Sequence, residues 1–482
     1  MRNKYATIWI WLLMCPLALD YKASANSDAH GLQIMLTIPP ILAALVLWLI
    51  APSFTRRSRF RSIITAAIVM TVIGSIVAQV VQGNDIGNYA RTLLPFGLFL
   101  LGYLAACRPW DSSRLLQFEK SLFWAMLISL VFAFTFGLTT VSGPLEDVRY
   151  RLVSDMFLGM QAVLLHQFVV AKRYTKFTLA VFAFTLVIEL LSFTRSLLVG
   201  TALLFVVATF LSAPSARYMM KAGMRALMLA AVVAGALALA STMMPEVAAH
   251  WTERIFASKV TTSGRDPTTI TRLAEMKDQF DQVTATPSAL ILGKGYGATY
   301  HYSPSFLPDL AGQITAKDFY AISEFTAGHN FWVYQFFAGG LLFGLALPLA
   351  VLFALVLGAM AYRVWRRRAP DLLYLPVMGR SLLLLAALPA TTIGGNPLGP
   401  RFSGLLYGVA LGLLVATYTR LSYAMKVRTA RQTMRGKRRP GRPAQRPATP
   451  VTPITPVMPM PMPSLVQERH DGNIDRSRLN SA

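Results

Sequence analysis

Apolar runs of membrane-crossing length alternate with short polar connectors along most of the chain. They cover about 5–19, 34–52, 63–82, 91–107, 118–140, 152–171, 177–193, 197–213, 226–244, 330–358, 372–394 and 402–420. Each lies near the ~20 residues that a helix needs to cross ~30 Å of hydrocarbon. The pattern predicts an all-α integral membrane fold of about twelve transmembrane helices, with one large extracytoplasmic loop containing short helices. Residues 1–244 would hold the first nine helices, 245–328 the loop, 329–425 the last three and 426–482 a tail. The first run has a second reading. Arg2 and Lys4 precede it and Ala23-Ser24-Ala25 follow, as in a cleaved signal peptide, although the many later spans favour an uncleaved first helix. The runs 177–193 and 197–213 cannot form one helix, because 37 residues would extend about 55 Å. The chain must therefore turn near Thr194, Arg195 and Ser196, which places Arg195 at a membrane face.

Charge fixes the expected orientation. Arg56, Arg57, Arg59 and Arg61 follow the second run; Lys172, Arg173 and Lys176 the sixth; Arg217, Lys221 and Arg225 the eighth; Arg363 and Arg366 to Arg368 the tenth. All fall on one side, which the positive-inside pattern makes cytoplasmic, as it does both termini. Hydrophobic residues make up 54% of the chain and charged residues 14%, below the quarter usual in soluble domains. The net charge of +24 is dispersed among connectors and the tail, so no nucleic-acid partner is expected. Membrane lipids are the expected partner of the tail. There Lys426, Arg428, Arg431, Arg435, Lys437 to Arg439, Arg442 and Arg446 lead into a Pro-rich run, a composition that predicts disorder. Cys15 and Cys107 read as two inert thiols.

The polar chemistry concentrates in the loop. Asp266-Pro267 has the form of a helix cap and first turn, and Ile270, Leu273, Met276, Phe280 and Val283 recur at helical spacing, predicting an amphipathic helix over 267–284. Arg272 sits off that stripe, and alone would read as a solvated arginine. Gly293-Lys294-Gly295-Tyr296-Gly297 lacks the spacing of a phosphate-binding P-loop; it reads as a turn whose amides could face an anion. His329 and Asn330 stand where the long run 330–358 begins. A helix N-terminus there favours a neutral imidazole able to accept a proton. His301 is the rival histidine. Within the apolar runs, Asp155, His166, Glu189 and Arg380 are scattered.

Four motifs together resemble the O-antigen ligase and O-antigen polymerase superfamily. They are Ser192-Phe193-Thr194-Arg195-Ser196 between two spans, Arg272 early in a loop helix, Leu292-Gly293-Lys294-Gly295-Tyr296-Gly297, and His329-Asn330 followed by Gly339-Gly340-Leu341-Leu342-Phe343-Gly344. The motifs fall within about 177–360. The family often has Trp a few residues after the loop arginine, where this chain has Glu275 and Met276, and an acidic residue where it has Phe337 and Ala338.

The resemblance implies a glycosyltransferase of the bacterial inner membrane that needs neither metal nor other cofactor. The donor would be an undecaprenyl diphosphate-linked glycan and the acceptor a hydroxyl of a glycan or of the lipid A-core. Arg195 and Arg272, with Arg265 in reserve, would bind the diphosphate; His329 would activate the hydroxyl; Asn330, Gly295 and Gly297 would support the site. Nine acidic against seven basic residues in 245–328 give no bias toward a phosphate-rich acceptor, which leans toward polymerase. The competing expectation is a lipid-linked glycan flippase or another polytopic transporter, which would show broken spans in matched halves.

Overall fold

A computed structural model of the chain describes residues 2–19, 35–140, 151–192, 194–213, 215, 217–221, 223–224, 266–310 and 314–437. The ninth apolar run, Ala23 to Ala25, Arg265 and the tail beyond 437 lie outside the described residues. Two units are distinguished, Met1–Arg428 and Thr429–Ala482. In the second, residues 429–437 are helical.

Regular structure among the described residues is helical; a single antiparallel bridge pairs Tyr300 with Glu324. The helices are α1 (Arg2–Ala18), α2 (Ile38–Ile50), α3 (Arg59–Gln82), α4 (Ile86–Ala106), α5 (Ser112–Thr140) and α6 (Phe157–Leu165, prolonged by a π turn His166–Val170). There follow α7 (Lys176–Ser192), α8 (Arg195–Ser212), α9 (Pro267–Thr284), α10 (Pro287–Leu292), α11 (Ala316–Ala321) and α12 (Phe331–Gly339, ending in a π turn Gly340–Gly344). The last three are α13 (Ala346–Arg368), α14 (Leu375–Thr391) and α15 (Ser403–Lys437). Six of them, α3, α4, α5, α8, α13 and α15, are long and apolar enough to cross a membrane, and five further helices are apolar but shorter. Several long apolar helices of this kind are the mark of a membrane protein.

The centre of the bundle is α15 against α14 and α4. Gly404, Gly408 and Gly412 recur every four residues along one stripe of α15. A Cβ at Gly404 or Gly408 would overlap the carbonyl oxygens of Pro95 and Phe99. Small residues on that stripe let two helix backbones touch, which is how helices pack where lipid offers no hydrophobic drive between them. α1 contributes Ile10, Leu13 and Leu17 to the same core.

The turn expected near Arg195 is present: Thr194 is extended, α8 begins at Arg195, and the Thr201 hydroxyl donates to Glu189 Oε1 at 3.1 Å, folding α8 back on α7. Arg380 forks onto Glu119 at 2.5 and 2.6 Å and is thereby neutralised inside the bundle.

Two expectations are corrected. The run 330–358 is not one continuous span, because the chain breaks at Gly340 (φ 62°) and its π turn; the helix long and apolar enough to cross is α13. The basic segment from 426 is not disordered at its start, since α15 continues to Lys437. Lys, Arg, Gln and Met are good helix formers, and no proline intervenes before Pro440.

Candidate functional site

The segment after residue 265 is organised by α9. Asp266 caps it as expected, its carboxylate accepting the Thr269 amide at 3.3 Å, and Pro267 occupies the first turn. The buried face differs from the apolar stripe. Ile270 and Val283 are buried, but Phe280 is half exposed, whereas Glu275 and Gln279 are buried completely. A charged side chain is retained in such a place only when it is paired and hydrogen-bonded.

His329 supplies the pairing. Its backbone N–H donates to Glu275 Oε1 at 2.7 Å, and its ring Nδ1 lies 2.6 Å from Glu275 Oε2. Gln279 Nε2 adds a donor to Oε1 at 3.3 Å. The carboxylate is 1% exposed and the imidazole 57% exposed, so one atom of the pair is anchored in protein and the other end of the ring faces outward. With Nδ1–H donating to the carboxylate, Nε2 carries the free lone pair. Gly328 makes the approach possible, because a Cβ there would overlap Glu275 Oε1 and Gln279 Nε2. Burial, followed by the charge of Glu275, raises the Tyr300 phenol above its ordinary value, and Tyr302 shifts the same way for the same causes. Both phenols are therefore neutral donors beside the pair.

Each proposed site residue can now be placed. Arg272 precedes Glu275 by three residues and Gln279 follows by four, so the three share one face of α9. Arg272 is half-buried and, among the described residues, has no ion pair. Arg195 reaches α9 at its other end: its Nη2 lies 3.1 Å from Asp266 Oδ2. From Asp266 to Glu275 is about 13 Å of helix axis. One helix thus carries Arg195 at its cap, Arg272 midway and His329 through Glu275. Arg265, which precedes Asp266 in sequence, lies outside the described residues.

Asn330 caps α12, its Oδ1 accepting from the amides of Trp332 and Val333 at 3.0 and 3.1 Å. That cap fixes where His329 leaves the helix. His301 is held elsewhere, its amide on Asp278 and its Nδ1 on the Ile322 carbonyl at 2.7 Å.

The glycine-rich turn does not present an anion cradle. Gly293, Gly295 and Gly297 adopt φ of 83°, 87° and 77°. The Lys294 and Gly295 amides donate to the carbonyls of Phe337 and Ala338 at 2.7 and 3.0 Å. These are carbonyls at the end of α12, released by its break at Gly340. Asn84 and Gln82 in turn hold the Lys294 and Gly293 carbonyls. The turn thus ties the end of α12 to α3, with Gly295 packed against Asn84, Gly297 against Asn88 and Tyr89, and the Gly295 amide turned to protein.

The residue that sequence reasoning missed is Glu275. It stood as a departure from a family pattern, and its full burial gave no signal in the apolar periodicity. Its one legible trace was an acid three residues after Arg272 on the helix predicted over 267–284. Among the described residues no group of three His, Cys, Asp or Glu side chains gathers as a metal site. Comparison with protein-family models and with curated proteins finds no match to the chain.

Proposed function

We propose that the chain is a polytopic glycan transferase of the bacterial inner membrane. It moves a glycan from an undecaprenyl diphosphate carrier to an acceptor hydroxyl on the extracytoplasmic face, as a polysaccharide polymerase or an O-antigen ligase. The observation that carries this reading is the His329–Glu275 pair: a buried carboxylate orients an exposed imidazole, and Arg272, without an ion-pair partner among the described residues, stands one helical turn away. A nucleophile's base needs that orientation, and a diphosphate leaving group needs that cation.

In this reading the acceptor O–H proton passes to His329 Nε2. The acceptor oxygen bonds to the anomeric carbon. The bond from that carbon to the diphosphate oxygen breaks, and its electron pair leaves with the lipid diphosphate. Arg272 stabilises the charge growing on that oxygen, and Glu275 stabilises the imidazolium. Arg195 spends one contact on Asp266 and keeps other N–H groups for a more distant phosphate. The balanced charge of 245–328 favours a glycan acceptor over a phosphate-rich core.

The reading requires twelve spans with both termini cytoplasmic, so that Arg195, α9 and His329 share the outer face. The test is transfer by purified protein in nanodiscs, supplied with lipid diphosphate-linked glycan and a chelator. His329→Ala and Arg272→Ala should each lower the rate about 10²–10⁴-fold while the protein still accumulates. His301→Ala should leave it unchanged. A normal rate from His329→Ala protein rules out the base, and an absolute requirement for magnesium or manganese rules out metal-free transfer.

The break at Gly340 favours the rival reading, a lipid-linked glycan flippase or other transporter, because broken helices there expose carbonyls to cargo. In this chain the Phe337 and Ala338 carbonyls each accept an amide, from Lys294 and Gly295, so the break does not leave them bare.

A further inference from the structure

On elements other than those of the His329 pair, three helix C-termini meet around a cavity of about 260 Å³. α8 ends there at Ser212 and α13 at Arg368, both helices of membrane-crossing length, and the π turn of α6 ends beside them at Val170. The ends of two candidate spans place the cavity where hydrocarbon gives way to water. Its lining includes Lys172, Tyr218, Arg363, Arg366 and Arg367, and no carboxylate among the described residues.

Part of this charge has a structural task. Arg366 donates to the carbonyls of Leu211 at 3.1 Å and Val170 at 2.9 Å, and Arg363 donates to Ala213 at 3.3 Å. These satisfy carbonyls that helix ends leave without partners. The task does not exhaust the site. Helix C-termini carry roughly half a negative charge each, so three of them fall short of the charge on Lys172, Arg363 and Arg366. Each guanidinium has five N–H groups, of which the carbonyls use one or two. Lys172 is the only non-glycine among the described residues with positive φ, at 54°, and its Nζ lies 5.8 Å from the Tyr218 ring centroid. This left-handed residue ends the π turn, with the Arg173 amide donating to the Gln167 carbonyl at 3.0 Å, and it sets Lys172 at the rim of the cavity.

We propose that this cavity binds the phosphate of an anionic membrane-lipid headgroup, with Arg363 and Arg366 fixing the helix ends and Lys172 and Arg367 closing on the phosphate. The inference is independent of the transfer reaction. It places a lipid site on the opposite side of the membrane from Arg195, because α8 runs from one to the other.

The test uses the full chain in detergent, with phosphatidylglycerol binding followed by native mass spectrometry. Lys172 and Arg367 are exposed, so the Lys172→Gln/Arg367→Gln protein retains the carbonyl contacts of Arg363 and Arg366. Each charge removed should weaken binding about fivefold, and both about 25-fold. Arg57→Gln/Lys426→Gln removes two exposed cations outside the cavity and should change binding little. Phosphatidylcholine should bind far more weakly than phosphatidylglycerol, and millimolar inorganic phosphate should not displace the lipid. Equal losses in the two double variants would reduce the effect to diffuse surface charge and overturn the proposal. Equal binding of phosphatidylcholine, or displacement by inorganic phosphate, would overturn it as well.

Discussion

A buried carboxylate that accepts both the backbone N–H and the ring Nδ1–H of one histidine fixes position and tautomer together. Glu275 does this for His329. Glu275→Gln keeps the shape and an oxygen for the backbone amide but removes the charge that supports an imidazolium. The expected outcome is a fall in transfer rate of about 10²–10⁴-fold with the protein still folded, measured by turnover against thermal unfolding in detergent. Glu275→Ala should in addition destabilise by about 1–3 kcal/mol, since it strands a buried N–H. Gly328→Ala tests the same contact from the other side. Its Cβ would overlap both Glu275 and Gln279, whereas a Cβ at Gly395 meets nothing within 4 Å. A stability loss of about 1–3 kcal/mol and reduced activity are expected for Gly328→Ala, and neither for Gly395→Ala. Arg272 was legible in the sequence only as a candidate among solvated arginines. Its nearness to Glu275 became meaningful once α9 was known to turn that face inward.

Among the elements, the coupling of the glycine-rich turn to α12 is the most consequential. The turn has three residues at positive φ, and its amides are spent on α12 carbonyls. A side chain at Gly293 would strain that conformation and overlap the Ala338 carbonyl; one at Gly340 would overlap Ile291. Gly293→Ala and Gly340→Ala should each destabilise by more than about 1 kcal/mol and lower activity through α12, which positions His329. Because the Lys294 and Gly295 amides face α12 carbonyls, the apparent affinity of both variants for the lipid diphosphate should change less than their turnover. Steady-state kinetics separates the two. The helix 267–284 was legible to the residue, because an Asp-Pro cap and a 3.6-residue period are local signals. The break in 330–358 was hidden, because uninterrupted hydrophobicity reports burial and says nothing of backbone continuity.

Across the whole molecule, the proposed site depends on the turn between α7 and α8 and on α9 bridging from Arg195 to His329. Reporter fusions at Arg195 and Ser303 should both report the extracytoplasmic side and fusions after Arg368 the cytoplasm. A cytoplasmic signal at Arg195 would separate it from the proposed chemistry. Truncation after Lys437 removes only residues beyond the last described helix, and should leave transfer activity and membrane abundance intact. Full loss of activity at normal abundance would give the tail a role that its proline-rich composition does not suggest.

The sequence by itself determined the class of protein, the start of α9 and the turn before Arg195, and it singled out His329 as a candidate. These rest on hydrophobic length, capping chemistry and charge, which act over a few residues. Only the tertiary structure decided that Glu275 is the partner of His329, that Arg195 is held by Asp266, and that the glycine turn caps a broken helix. Those contacts join residues 54, 71 and more than 40 positions apart, and whether a charge far along the chain finds a partner is set by how helices pack. A local pattern can require that a buried carboxylate be paired; it has no means of naming the residue that pairs it.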